Sequence, residues 1–396
     1  LRSPHGAVSG SAELSAGSGT GENRIRAELR GFDLAPVWKL LEPPFTLASR
    51  GTGRIALNWN GAFESDRISG DAVLTLAASR PSPGPDILPV SGMLNARLSP
   101  GLTVVDLQPL SALGANLRGQ FSLRSFRHIA GGIQGDAPDI GALIAELSRF
   151  LGGSDGPADA LGLRGPLRFD ALAGGELARP EIAISAEIPA LEAVGLRHLS
   201  AGTEARIDGP GIKFQNTLRL PEDSAVYAEG QLDLGSPGPA LVLDVRGDNI
   251  PATAITKMLD ANLPASGTLG LRLHVEGPLD GLAGDASVGG SDLRLDREPL
   301  GRLDVGLKLA GQEIRSTRLT LLKDPQATGS NRLDGSFVYA LDSGRFRFEA
   351  DGRGLRFDSL GLPNETPLRA SWNLTATGTG TAEEPFIEAR IETADL

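Results

Sequence analysis

The chain has 396 residues, of which 40% are hydrophobic and 22% are charged, a balance that argues against intrinsic disorder. It contains no cysteine, which excludes a disulfide scaffold, a thiol nucleophile and a cysteine-ligated metal site. The formal net charge of −11 argues against binding to nucleic-acid phosphates or to an anionic membrane surface.

Four stretches of the chain share one pattern, in which a polar residue and a short, helix-like apolar run precede a Gly/Pro break and alternating apolar residues. These stretches begin at Asp33, Asp139, Asn249 and, more weakly, at Phe357. Their spacing of roughly 110 residues predicts a stack of similar units whose function lies in an extended surface.

The repeat predicts an N-terminal edge or partial repeat at 1–29, complete repeats at 30–125, 126–246 and 247–350, and a partial fourth repeat at 351–396. The sequence starts without a methionine and stops in mid-pattern, so we expect one continuous elongated module from a longer protein.

Each repeat is expected to begin with a short helix. The second repeat predicts the longest one, from Ile140 to Leu151, with Gly152-Gly153 as its C-terminal cap and a flexible linker at 154–157. In the third repeat Asn249 is placed to cap a helix and Pro251 to lie in its first turn. Whether the helices lie across the open side of the sheet or at its end stays open.

The segments after each helix switch to a period of two, which predicts strands with one apolar face. Turn signals indicate roughly seven or eight strands of about five to eight residues in each repeat. The alternating apolar positions that form this predicted surface are Ile55, Leu57, Trp59, Leu167, Phe169, Leu241, Leu243, Val245, Leu269, Leu271, Leu273, Val275, Leu303, Val305, Leu307, Leu309, Phe346, Phe348, Leu368, Ala370, Trp372 and Leu374.

Strands with one apolar face must bury it or hold something apolar. With so few helices, the sequence predicts a mainly-β fold: a long, repetitive, curled antiparallel sheet, shaped like a trough, with short helices between the repeats. On periodicity alone, the default interpretation of the apolar positions is an ordinary core packed against another sheet.

A Gly-x-Leu-x-Leu strand followed by a Gly-x-(Ala/Val) strand recurs along the chain, for example at 267–273 with 284–288, and at 53–57 with 70–74. This pair, with the helices between, resembles the AsmA-like superfamily, and within it the periplasmic middle region of the TamB (translocation and assembly module) family. The resemblance covers about residues 25–396 of this chain.

The resemblance implies a taco-shaped sheet whose apolar groove carries phospholipid acyl chains from the inner toward the outer membrane of a didermic bacterium. It implies that the full-length protein is anchored in the inner membrane and lies in the periplasm, with an outer-membrane assembly barrel of the Omp85 type as partner. The alternating positions would then line the groove, with bound phospholipid or another acyl lipid in place of a cofactor.

No enzymatic function is predicted. The four histidines, His5, His128, His198 and His274, are interpreted as solvated residues without a metal or general-base partner. The adjacent carboxylates Glu222-Asp223 and Glu383-Glu384 are interpreted as solvated turn residues rather than a glycosidase pair. The Gly-rich segment at 17–21 lacks the lysine of a phosphate-binding loop and is interpreted as a linker.

Two functions stay in competition: a lipid-carrying bridge, and a structural or chaperone-like scaffold that holds outer-membrane strands by edge pairing. An extracellular β-solenoid is disfavoured, since neither a short coil period nor a carboxylate cluster is visible.

Overall fold

The structure, a computed structural model, describes residues 2–3, 6–14, 21–39, 45–61, 64, 66–80, 82–153, 161–235, 238–258, 264–323, 331–356, 371–381 and 384–395. The chain divides into two compact units, Leu1–Gly209 and Pro210–Leu396. The predicted helix at 357–360 and the linker at 154–157 lie outside the described residues.

In its described part, the first unit contains fourteen strands and two short helices. Their bounds are β1 Arg2–Ser3, β2 Gly6–Glu13, β3 Glu22–Asp33, α1 Ala35–Lys39, β4 Thr46–Leu47, β5 Ser49–Asn60, β6 Ile68–Ala78, β7 Ile87–Leu88, β8 Ser91–Ser99, β9 Leu102–Ala112, β10 Ala115–Arg124, β11 His128–Ala137, α2 Ile140–Phe150, β12 Leu167–Glu176, β13 Arg179–Ala193 and β14 Leu196–Asp208.

In its described part, the second unit contains eleven strands and one helix. Their bounds are β15 Gly211–Arg219, β16 Ala225–Asp233, β17 Ala240–Pro251, α3 Ala252–Met258, β18 Ala265–Pro278, β19 Ala283–Leu295, β20 Glu298–Ala310, β21 Glu313–Leu322, β22 Arg332–Ala340, β23 Phe346–Arg356, β24 Ser371–Gly380 and β25 Pro385–Asp395.

Within each unit, consecutive strands of the main sheet pair antiparallel. The two-residue strands β4 and β7 form a separate parallel pair. In the described part of the chain, no pairing joins the first strand of either unit to its last. The fold class is therefore confirmed: the protein is mainly β, and each unit is an open, curled antiparallel sheet with short helices between groups of strands.

The predicted number of seven or eight strands in a repeat agrees with the eight strands, β4–β11, that lie between α1 and α2 in the described part of the chain. The predicted length of five to eight residues is wrong, because the six strands of the main sheet in this segment, β5, β6 and β8–β11, have 9–12 residues. Glycines lie inside these strands as well as between them, for example Gly70 in β6 and Gly119 in β10. An added Cβ at either glycine would lie 2.1 Å from a carbonyl oxygen of the neighbouring strand, so these glycines permit close strand approach.

The predicted ends of helix α2 are confirmed. The Asp139 carboxylate accepts a hydrogen bond from the Ala142 N–H at 2.8 Å and so caps the helix. At the other end Gly152 has φ +75°, and the N–H groups of Gly152 and Gly153 donate to the carbonyls of Arg149 and Ser148. This pair of hydrogen bonds is a Schellman cap, for which glycine is the favoured residue.

The predicted cap of helix α3 is wrong. Asn249 has φ +55° inside β17, Pro251 is the last residue of that strand, and the helix begins at Ala252. The register of β17 with β18 shifts between Gly247 and Ile250, which identifies Asn249 as a bulge residue rather than a helix cap.

This bulge recurs at the same edge of the second unit, as Gly247-Asp248-Asn249-Ile250, Gly290-Ser291-Asp292-Leu293 and Gly352-Arg353-Gly354-Leu355. The third residue has φ of +55°, +51° and +55° in turn, and the aliphatic fourth residue is buried. In each copy an added Cβ on the first glycine would lie 2.6–2.7 Å from the Cδ1 atom of that aliphatic residue. The fourth side chain therefore folds back over the glycine. We call this side of the sheet the helix edge, because β17 leads there into α3.

In the first unit, a hydrophobic cluster covers one end of the sheet. Leu76, Val90, Leu110 and Ala112 form its buried centre, and Leu34, Leu47 and Leu88 from the segments around α1 and β7 pack against it. Ser49 ties these segments to β5, since its hydroxyl accepts from the Val90 N–H at 3.0 Å and donates to the Val90 carbonyl at 2.7 Å. The segments around α1 therefore lie at an end of the strands.

The close packing at the bulge glycine predicts that Gly290→Ala and Gly289→Ala have different effects on stability. Gly290→Ala places a methyl group 2.7 Å from Leu293 Cδ1, whereas nothing lies within 4 Å of a Cβ at Gly289. We expect Gly290→Ala to lower the free energy of unfolding by about 1–3 kcal/mol, as overpacking does. Gly289→Ala should leave it unchanged or raise it slightly. Urea midpoints test this, and equal midpoints for the two variants would contradict the packing argument.

Candidate functional site

The strands of both units present one apolar face and one charged face. In β18, for example, Leu271, Leu273 and Val275 lie on the first, and Arg272 and Glu276 on the second. Because residues directly opposite each other in an antiparallel sheet share a face, the pairing registers show whether these faces continue from strand to strand.

In the first unit, the register joins apolar residues into rows that cross the strands. One row runs from β3 to β14 without interruption. Its members are Ala27, Ile55, Ala72, Ala96, Val105, Phe121, Gly131, Ala173, Ile182 and Ile207. A parallel row passes through Leu74, Leu94, Leu107, Ile133 and Ile184.

The second unit has the same arrangement. One row crosses from β15 to β24 through directly opposed residues. Its members are Phe214, Gly230, Leu243, Val275, Gly284, Leu309, Ile314, Tyr339, Phe346 and Gly380. A second row joins Val226, Gly247, Leu271, Val288, Val305 and Leu319. None of the residues in these rows carries a charge.

Glycines lie opposite several aromatic residues of the apolar face. Phe169 lies opposite Gly135, Phe348 opposite Gly378, and the Phe214 ring covers Gly230. An added Cβ on Gly135 or Gly378 would lie 2.2 Å from the facing ring. Each aromatic ring therefore lies over a glycine, which reduces how far it projects from the apolar face.

The apolar face is only partly shielded from solvent. Of the twenty predicted positions that the structure describes, only Trp59, Leu167 and Val275 are buried, and the others are half-buried. By contrast, Val242 on the charged face of β17 is 43% exposed, although its neighbours Leu241 and Leu243 are half-buried on the apolar face. The curled sheet thus shields its apolar face without closing it as a core.

All twenty described positions lie on the apolar face, whereas Leu368 and Ala370 lie outside the described residues. Their role in contacting lipid stays a prediction. Sequence reasoning missed many members of the rows, including Val105, Phe121, Ile182, Ile184 and Ile207. The signal was available at Phe121 and Ile207, which have polar neighbours on both sides. It was weaker at the other three, which lie next to Val104 or Ala183.

The charged face carries one histidine whose surroundings the sequence interpretation missed. His274 Nδ1 lies 2.8 Å from Asp244 Oδ1 on the neighbouring strand, and Nε2 lies 3.8 Å from Glu276 Oε2. The hydrogen bond with Asp244 is the main cause that raises the pKa of His274 above 6.5, with smaller contributions from the charges of Asp244, Glu276 and Asp285. His274 is thus solvated, as expected, but it is not isolated.

The other candidate residues form no site in the described part of the chain. There, no group of three or more histidine and carboxylate side chains could hold a metal ion. His128 and His198 are exposed, and Glu222 and Asp223 are exposed in a turn with φ of +62° and +56°. His5, Glu383 and most of the segment 17–21 lie outside the described residues.

The fold and its rows of opposed residues define the class of protein: an open antiparallel β-sheet protein with a continuous, partly accessible apolar face in each unit. Comparison of the chain with protein-family models, with curated proteins and with solved structures gives no match. None of the described helices has the length and hydropathy needed to span a membrane.

The raised pKa of His274 allows a test of its hydrogen bond with Asp244 on the charged face. Asp244→Asn removes the first cause of the raised pKa, so the NMR titration midpoint of His274 should fall toward 6.5. Because the pKa is raised in the folded state, the contribution of this pair to stability is present below pH 6.5 and is lost as the pH rises through the folded-state pKa. A midpoint that does not move in Asp244→Asn would contradict the assigned hydrogen bond.

Proposed function

We propose that this chain is a lipid-carrying module that holds phospholipid acyl chains against its apolar face and performs no covalent chemistry. The observation that carries the proposal is the pair of continuous rows in each unit, which are apolar, free of charge and only half-buried. An ordinary core would bury these side chains fully, and a surface with no partner would not present an uninterrupted apolar strip.

The dimensions of the rows suit an acyl chain. One leaflet of a bilayer has about 15 Å of hydrocarbon, and strands are spaced about 4.8 Å apart, so one extended chain would cover about three to four strands. Each buried methylene contributes about 0.8 kcal/mol, whichever row segment it contacts. A row of similar residues therefore offers many positions of nearly equal free energy, which favours sliding.

The composition of the rows supports the same function. Leucine, isoleucine, valine, alanine and glycine dominate them, and aromatic residues make up only 5% of the chain. The rows contain few bulky side chains and no buried polar side chain that would select one ligand shape. A non-specific acyl-binding surface is the function that this composition supports best.

The cellular setting rests on the resemblance to the AsmA-like superfamily. We propose that the module lies in the periplasm of a didermic bacterium, as part of a protein anchored in the inner membrane. Phospholipid would then pass along the apolar face toward an outer-membrane assembly barrel. The absence of cysteine is compatible with an oxidising compartment.

The charge-free rows give the main test. Leu271→Asp places a short carboxylate in one row, and Leu307→Asp places one on the apolar face between the two rows. At neither position can the carboxylate extend away to solvent as an arginine can. An ionised group in hydrocarbon costs about 2.5–3.5 kcal/mol, so we expect roughly a hundredfold loss of lipid occupancy or passage. Native mass spectrometry of the purified protein and a vesicle-to-vesicle transfer assay measure the two quantities.

Val242→Asp is the matched control for these variants. Val242 lies on a neighbouring strand but on the charged face, where it is 43% exposed, so a carboxylate there should be tolerated. Circular dichroism checks that all three variants keep their β structure. Full lipid transfer by folded Leu271→Asp, or recovery of wild-type protein with no lipid from any preparation, would overturn the proposal.

A scaffold for outer-membrane strands is the second candidate, because β25 presents unusually exposed apolar residues. Phe386, Ile387 and Ile391 are 62%, 57% and 61% exposed, and β25 pairs only with β24 in the described part of the chain. An edge strand of this kind can accept an extended segment of another protein by strand addition.

Site-specific crosslinking separates the two functions. A photoreactive residue at Leu273 on the apolar face should capture lipid in cells if the chain carries lipid, and the same residue at Val242 should not. For a scaffold, a photoreactive residue at Ile391 should instead capture extended protein segments, and Leu273 should capture no lipid. The identity of the captured molecule, determined by mass spectrometry, decides between the two.

A further inference from the structure

The charged face of the second unit contains a cavity of about 700 Å³. It lies at the edge of the sheet opposite the helix edge, where β21 and β23 begin and where β22 and β24 end. Glu313, Arg315, Val338, Arg345, Arg347 and Thr379 are among its lining residues.

The cavity carries an excess of positive charge, although the formal net charge of the whole chain is −11. Arg315 forms an ion pair with Glu313, whose pKa is lowered chiefly by the hydrogen bond from that guanidinium group. Among the described residues, Arg345 and Arg347 have no carboxylate partner. Glu349, which follows Arg347 on the charged face of β23, forms no ion pair with it. Two guanidinium groups therefore keep unused hydrogen-bond donors at this cavity.

The register brings the lining residues side by side. Arg315 lies opposite Val338, Val338 lies opposite Arg347, and Arg347 lies opposite Thr379. Directly opposed positions are about 4.5–5.5 Å apart, so Arg315 and Arg347 flank the short Val338 side chain from both sides. Arg345 adds a third guanidinium group immediately before the first residue of β23. A single small anion bound in the cavity would lie within reach of all three long side chains.

A second cavity on a charged face shows that this balance of charge is not general. In the first unit, a cavity of about 550 Å³ is lined by Arg26 and Arg54 but also by Glu28 and Asp71. Its formal charges cancel, whereas three arginines face one glutamate in the second unit. A cavity on a charged face of this protein therefore does not always carry a net positive charge.

We propose that the cavity at Arg315, Arg345 and Arg347 binds a phosphate group, carried either by a lipid headgroup or by a free phosphate compound. Guanidinium groups match the oxygens of phosphate with paired N–H donors, which makes arginine the preferred partner of this group. The inference goes beyond the proposed function, because these arginines lie on the charged face and do not require lipid on the apolar face.

Titration calorimetry with the complete chain at low salt tests this site with two probes, inorganic phosphate and dihexanoyl phosphatidylglycerol below its micelle concentration. We expect saturable binding that is weakened about tenfold or more in the double variant Arg345→Gln/Arg347→Gln. Glu313→Gln should strengthen binding by about threefold, because it frees Arg315 from its ion pair. Binding should also weaken as salt is added.

Arg353→Gln is the matched control, since Arg353 lies on the charged face of the same strand and pairs with Asp351 at 2.8 Å. It removes one positive charge away from the cavity and should change the affinity less than twofold. Tighter binding of the lipid probe than of phosphate would assign the site to a headgroup, and equal binding to a free phosphate compound. No saturable binding of either probe, or equal losses in Arg353→Gln and the double variant, would overturn the proposal.

Discussion

The strand register is the constraint on which the rest of the structure depends. Side chains alternate with a period of two, so a slip of one residue would move a whole strand's leucines and valines to the charged face. In both units the apolar residues are opposed to apolar residues across many consecutive pairs. The bulges at the helix edge of the second unit preserve this arrangement. They absorb one extra residue at Asn249, Asp292 or Gly354 and return the next aliphatic side chain to the apolar face.

Glycines inside the strands leave space on the apolar face for the aromatic rings opposite them. Several aromatic rings of the apolar face lie opposite a glycine, as Phe169 does with Gly135 and Phe348 with Gly378. Glycine lowers the intrinsic stability of a strand, but in these places a side chain would collide with the ring. The glycine-rich composition thus reflects packing within long strands, and not only turns between short ones.

Most ion pairs of the protein lie on the charged faces, where each contributes at most about 1 kcal/mol. The pair between Glu298 and Lys323 is different, because their side chains are only 2% and 7% exposed at the helix edge. It joins the start of β20 to the end of β21. Backbone pairing and the shielded apolar rows therefore stabilise the sheet of each unit, whereas the exposed ion pairs of the charged faces contribute little.

The alternation of apolar residues is local, and it was sufficient to predict the mainly-β class, the two faces of each strand and the described candidate positions. The caps of α2 were also predictable, since Asp139 and Gly152 act within one turn of the chain. Strand length, the bulge at Asn249 and the pairing of His274 with Asp244 were not predictable, because they depend on contacts between residues on different strands. Only the register, which the tertiary structure decides, joins separate apolar stripes into continuous rows and brings Arg315, Arg345 and Arg347 to one cavity.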